Sequence, residues 1–423
     1  MAPRNPKRQA ADDEFIDAND IEQVIELGNE EAEPMSEDEE AVDHDEMDND
    51  MLNDDDAEHY DDDADFDDED GQEGDEMEGG DFVLVDDSIQ GFFDHKEPVY
   101  TVALHPTQEH IVATGGGDDK SYLWRLDNGE KMFDLGVHSD TVAAVAFSFD
   151  GAFIASGGMD GKVFVFKVST GELVVTLDGP TEVSWLDWHP RGPVLLAGSA
   201  DGTIWMWQIP SGTCMNVFSG HVDMVSCGQF TPDGKAIVSG SDDGSVIIWD
   251  PKTAAAQLKL TSEDARFHSD AITTLAINKD NNLALTGSAD STAKLIHIGN
   301  GKIVASFESH QDSVQAVGFS NVLPFAATGS IDGSMAIWDV TTTKLRQTVK
   351  HDDVITSLKW HSDQPLITTA SVDRTIRVWD ARTGNCERVF NGHQDVIHAI
   401  AISKDGKTVV SASEDGTSLV FSA

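Results

Sequence analysis

The chain has 423 residues, with 27 Lys and Arg against 78 Asp and Glu, a formal net charge of −51, and three cysteines. The charge is uneven: residues 1–87 carry −35 and the remainder −16. Such a chain is a poor match for the phosphate backbone, which needs a basic surface, so no direct nucleic-acid contact is expected and a basic protein or peptide is the favoured partner. No run of about 18 apolar residues predicts a membrane span. The N-terminus lacks the apolar core of a secretory signal. Cys214, Cys227 and Cys386 show no paired pattern, which fits buried thiols in a reducing compartment, cytoplasmic and possibly also nuclear.

Residues 1–14 are polar, with Arg4, Lys7 and Arg8 forming either a small nuclear-import signal or a solvated terminus. Asn19 and Glu22 stand at capping-box spacing, and Ile21, Val24 and Ile25 share one helical face, so a short helix is expected at 20–27. So short a helix forms mainly against a partner or the folded domain. Residues 29–81 are acidic low complexity and are expected to be disordered, because like charges with few apolar residues cannot offset the ordering entropy. Phe82-Val-Leu-Val85 closes a tail assigned to residues 1–86.

From residue 87 to 423 one pattern recurs eight times. Ser239-Gly-Ser-Asp-Asp-Gly-Ser-Val-Ile-Ile-Trp-Asp250 reads as strand, tight turn, strand, with Asp243-Gly244 as a two-residue hairpin signal. The turn aspartates are Asp118, Asp160, Asp201, Asp243, Asp290, Asp332, Asp373 and Asp415, spaced by 41 or 42 residues except for one interval of 47. Six residues after each comes a large apolar side chain, Trp in Trp124, Trp207, Trp249, Trp338 and Trp379. Four short strands per unit of about 42 residues predict a β-propeller blade. The last unit stops after its third strand. Residues 88–94, just ahead of the first unit, align with the fourth strand of the unit before it, so they are expected to complete the last blade and close the ring.

Gly220-His221, Gly392-His393, Trp249-Asp250, Trp338-Asp339 and Trp379-Asp380 carry a close resemblance to the WD-repeat family. That resemblance implies an all-β, eight-bladed propeller and one hydrogen-bonded network of His, Ser or Thr, Asp and Trp per blade. Carried over, the complete sets are His95/Thr114/Asp118/Trp124, His221/Ser239/Asp243/Trp249, His310/Thr328/Asp332/Trp338 and His351/Thr369/Asp373/Trp379. The third unit has Gly179 for the His and Ala197 for the hydroxyl, so its network is expected to be missing, with Trp185, Trp188 and Trp205 packing instead.

With the periodic His and Asp absorbed by structure, no nucleophile–base pair or metal-ligand set stands outside the repeats, and neither catalysis nor a cofactor is expected. The resemblance also implies that the loops after each His and the Asp turns share the ligand face. Two residues after the His position stand Glu97, Asp140, Asp223, Asp270, Asp312, Asp353 and Asp395, which either cap their own turns or bind. Met159, Asp242, Ile331 and Glu414 precede the turn Asp, and Tyr100, Glu182, Gln315 and His398 are assigned to strand entry. Together they make an acidic ring with apolar anchors, suited to a basic peptide with an aromatic residue. The surplus in the 47-residue interval falls in Ser262–Phe267. It is either a neutral insertion or a binding loop offering Glu263, Asp264 and Phe267.

An acidic N-terminus before an eight-unit propeller further resembles a WD-repeat subgroup whose fungal member is a dedicated chaperone of a basic large-subunit ribosomal protein. The resemblance implies a monomeric, non-catalytic chaperone acting in ribosome biogenesis. A scaffold in signalling or chromatin that reads a basic tail is the alternative.

Overall fold

The computed structural model describes residues 85–423. The expected helix at 20–27 and the acidic low-complexity segment lie outside them. Within the described residues the chain forms eight four-stranded antiparallel sheets, one per unit, and successive inner strands pack in a closed circle. The blades begin, in chain order, at Val99–Leu104, Val142–Phe147, Val183–Trp188, Cys227–Phe230, Ile272–Ile277, Val314–Phe319, Ile355–Trp360 and Ile397–Ile402, and are numbered 1 to 8 in that order. The core lies between the sheets. Most blades bury their two middle strands almost completely, which is why these read as near-continuous apolar runs such as Val-Phe-Val-Phe at 163–166.

The ring closes as its truncated last unit requires. Gln90–Phe92 pairs antiparallel with Ser418–Ser422 in the order Gln90↔Val420, Gly91↔Leu419 and Phe92↔Ser418, shorter than the expected 88–94. Ile89 N–H extends the contact to Val420 O at 2.8 Å. Phe92 is buried and stacks on Trp124 of blade 1, with centroids 5.3 Å apart. The closing strand therefore belongs to blade 8 by hydrogen bonds and to blade 1 by packing.

Two local features differ from expectation. The Asp-Gly turns are three-residue loops: only the residue after the turn Asp has positive φ, and Gly244 N–H bonds back to Ser241 O at 3.0 Å. This is a type I turn followed by a left-handed residue, so φ need be positive at one position. Asp119, Ser291 and Arg374 hold that position in three blades without glycine. Cys214 and Cys386 are exposed, since both lie on outer strands rather than in the core.

Candidate functional site

Seven blades contain the His network. His95 Nδ1 donates to Asp118 Oδ1 at 2.9 Å and Nε2 meets Thr114 Oγ1 at 3.0 Å. His351 does the same with Asp373 at 2.8 Å and Thr369 at 2.6 Å, and Trp379 Nε1 donates to Thr369 at 2.8 Å. In two of the expected sets a serine intervenes. His221 Nδ1 meets Ser245 Oγ at 2.8 Å and His310 Nδ1 meets Ser334 Oγ at 3.0 Å, leaving Asp243 and Asp332 at 3.5 and 3.6 Å. Trp249 and Trp338 still donate to Ser239 and Thr328. Trp124 does not join its network: its Nε1 is buried without a partner, and Phe92 covers the ring. Blades 2, 5 and 8 keep His, hydroxyl and Asp although they lack the Trp.

The cost of these networks shows in their titration. Burial pushes His221 down to about 4 despite Asp243 nearby. Burial would raise Asp243, but the Ser245 hydroxyl and the Val222 and Ser245 N–H groups outweigh it and bring it to about 2. Blade 3 has no such set, as expected. Trp205 fills the space beside Gly179, where an added Cβ would lie 2.5 Å from the ring, and it stacks on Trp207.

The acids after the His position divide cleanly. Asp140, Asp223, Asp270, Asp312, Asp353 and Asp395 each accept the N–H of the following residue at 2.7 to 2.8 Å. These six brace their own loops. Glu97 precedes Pro98, which has no N–H to give, so its exposed carboxylate has no such duty.

The inner strands enter the ring through a β-bulge in seven blades, between Val99 and Thr101 in blade 1 and between Ile397 and Ala399 in blade 8. The bulged residue faces the mouth of the central channel. Where it carries a hydroxyl it latches the next blade: Ser184 to Val225 O at 2.6 Å, Thr273 to Val314 O, and Thr356 to Ile397 O at 2.5 Å, with Ser226 of blade 4 bonding Ile272 O. Tyr100, Ala143, Gln315 and His398 make no latch. Glu182 is exposed on this face but is not the strand-entry residue. The bulge places Ser184 there, while Glu182 O accepts Ala200 N–H at 3.1 Å.

Two acidic groups result. At the junction of blades 8 and 1, His398 Nε2 contacts Glu414 Oε2 at 2.7 Å, Tyr100 packs on His398 at 5.1 Å, and Glu97 adds a second carboxylate. Burial, then Glu414 and Glu97, raise the Tyr100 pKa. On blade 4, half-buried Asp242 sits beside Asp223, and burial followed by that like charge raises its pKa. Blades 4 and 8 stand across the ring from each other, with Met159 (exposed) and Ile331 (half-buried) between them.

The 262–267 loop does not offer Phe267. That side chain is buried against Val246, Ile248 and Ile272 and packs on His268, pinning the loop to the blade. Asp264 is engaged by Arg266 Nη2 at 2.6 Å, and Glu263 alone remains free and exposed. Among the described residues, no three His, Cys, Asp or Glu side chains converge as metal ligands would. Asp187, inside the channel wall, escaped sequence reasoning. Its signal was a carboxylate inside the otherwise apolar Val-Ser-Trp-Leu-Asp-Trp strand.

Eight four-stranded blades carrying seven buried His–hydroxyl–Asp networks define a closed β-propeller, and the chain belongs to the WD-repeat β-propeller family. The WD domain, G-beta repeat matches residues 87–125 and 129–167, and the Nucleolar protein 10-like N-terminal domain matches 169–421. The chain is 38% identical over 351 residues to the human angio-associated migratory cell protein, covering 79% of this chain and 80% of that one. It is 24% identical over 387 residues to the ribosome assembly protein SQT1 of Saccharomyces cerevisiae, covering 82% and 89%. The crystal structure of Chaetomium thermophilum Sqt1 bound to the N-terminus of the ribosomal protein L10 superposes with a TM-score of 0.76 at 25% identity, covering 80% of this chain and all of that one.

Proposed function

We propose that the chain is a ribosome-assembly chaperone whose channel mouth receives a basic segment of a newly made large-subunit ribosomal protein. The observation that carries this reading is the pair of acidic groups on opposite sides of the mouth. Glu97, Glu414 and Asp242 are carboxylates that no turn requires, Tyr100 supplies apolar contact beside the first two, and Met159 and Ile331 supply it on the blades between the two groups. Ribosomal proteins off the ribosome expose Lys and Arg without their RNA, and an acidic mouth shields that charge. The Sqt1 relatives, one of them held with the N-terminus of L10, support the assignment of partner class. The protein acts as a monomer, in the cytoplasm where the partner is made, with the acidic N-terminal residues raising the encounter rate.

The test is fluorescence anisotropy with a labelled Arg-rich peptide containing one Tyr. Glu97→Gln, Glu414→Gln and Asp242→Asn are each expected to weaken binding by about tenfold without lowering the melting temperature. Unchanged affinity in all three overturns the reading. Mass spectrometry of proteins captured with the tagged chain during translation separates ribosomal proteins from histones and signalling proteins.

A further inference from the structure

Below the mouth, the penultimate residues of the eight inner strands stand at one level around the ring, none of them fully buried: Ala103, Ala146, Asp187, Gln229, Ala276, Gly318, Lys359 and Ala401. Five are Ala or Gly. The two charges belong to blades 3 and 7, four blades apart and so on opposite walls. Neither has an ionic partner among the described residues. Asp187 Oδ2 accepts Phe230 N–H of blade 4 at 2.7 Å, and the Phe230 and Trp188 N–H groups are the polar groups that favour its charged form.

Two residues up the same strand, and so on the same side of it, is Trp185. Its Nε1 donates to Val225 O at 2.9 Å, and its ring lies across two glycines, Gly198 of its own sheet and Gly228 of the next. An added Cβ would meet the indole at 2.1 Å and 2.4 Å respectively. The site is built: both glycines are needed to lay the indole along the wall above Asp187, and the ring stays partly accessible.

We propose that this wall is a deep subsite for one Lys or Arg side chain of the basic partner, the stem lying on Trp185 and the cation pairing with Asp187. The inference rests on the chaperone reading above. Asp187 lies about 10 Å down the strand from the bulged Ser184, so a peptide at the mouth reaches it only with a long side chain. The indole face adds cation–π attraction. Lys359 on the far wall repels a second cation and fixes which side the first one takes.

An empty subsite of this kind holds a carboxylate at a loss. Burial raises Asp187 to about 7. The other titratable groups along this strand and the facing one are Cys227, which burial pushes up to about 12, and His189, just past the end of Asp187's own strand, which burial lowers. Neither is charged at neutral pH, and the packed strands Val142–Phe147 and Val194–Ser199 carry no titratable side chain. A cation would therefore find Asp187 increasingly charged between pH 6 and 8.

Asp187→Asn keeps the bond from Phe230 N–H and removes only the charge. With the full chain and the same Arg-rich peptide, this variant is expected to bind about tenfold more weakly at pH 8, with little difference at pH 6. It should melt at or above the wild-type temperature at pH 8, because the buried charge is gone. A variant that melts lower shows a structural carboxylate and overturns the inference. So does one with wild-type affinity and pH profile. If in that case Asp242→Asn still weakens binding, the chaperone reading stands without the subsite; if Asp242→Asn also binds normally, both fall.

Discussion

Truncating Phe92 to Ala should open the ring at its weakest seam. The side chain is 2% exposed and packs on Trp124 and Tyr122, with centroids at 5.3 and 5.2 Å, and it is the closing strand's one large contact with blade 1. Removing a buried Phe costs about 3–5 kcal/mol, transfer and cavity together. For a domain of this size unfolding as one unit, each kcal/mol moves the melting temperature by roughly 1–2 °C, so a drop of about 3–10 °C is expected. Phe93, its neighbour, is 61% exposed and provides the control, since Phe93→Ala should change the melt by less than about 1 °C. Differential scanning calorimetry reads both. Should the two variants melt alike, closure does not depend on Phe92 and the seam argument is wrong.

Acid should destabilise the propeller well above the carboxylate range. The fold holds His221 neutral down to about 4, whereas the unfolded chain protonates it near 6.5, so stability falls as pH drops through that window. The contribution of this one group is about 3 kcal/mol at full protonation, and His221→Gln should flatten the slope of chemical-denaturation stability between pH 6.5 and 4. Asp395→Ala removes the loop cap to Val396 N–H and should cost about 1 kcal/mol in a urea melt, whereas Glu97→Ala should cost nothing measurable. Gly179→Ala, at φ 146° and against the Trp205 ring, should destabilise by about 1–3 kcal/mol, and restoring the family's His there should not recover stability. Deleting residues 1–80 should slow association with the basic peptide at low salt in stopped flow, while leaving the melt unchanged.

The repeat made the architecture legible, because a period near 42 fixes eight turn aspartates, seven histidines and the missing last strand without any knowledge of contacts. The His, hydroxyl and Asp positions of the networks were legible for the same reason, as was their absence from blade 3, but the serines that intervene at His221 and His310 and the unpaired Trp124 were not. What the sequence did not carry was where the backbone deviates. Glu182 was placed two residues ahead of Ser184, the bulged residue of blade 3, because that unit lacks the His that marks the strand entry elsewhere. The hydroxyl latches of Ser184, Ser226, Thr273 and Thr356 were invisible likewise. Phe267 could be located in the long loop, but its direction depends on the apolar gap beneath it. The six loop-bracing aspartates and the unengaged Glu97 look alike as residues; Pro98 is the distinguishing mark.

Gln90 pairs with Val420 across 330 residues of chain. At a translation rate of about 5–20 residues per second, the first strand of the propeller to be made waits on the order of 15–65 seconds for its partner. Through that interval blade 1 stands complete with Trp124 and Tyr122 lacking the cover that Phe92 provides once it is anchored in blade 8. Birth order thus runs against closure order. A protein proposed to guard nascent chains spends its own synthesis with an uncovered aromatic edge, and its last few residues decide when that exposure ends.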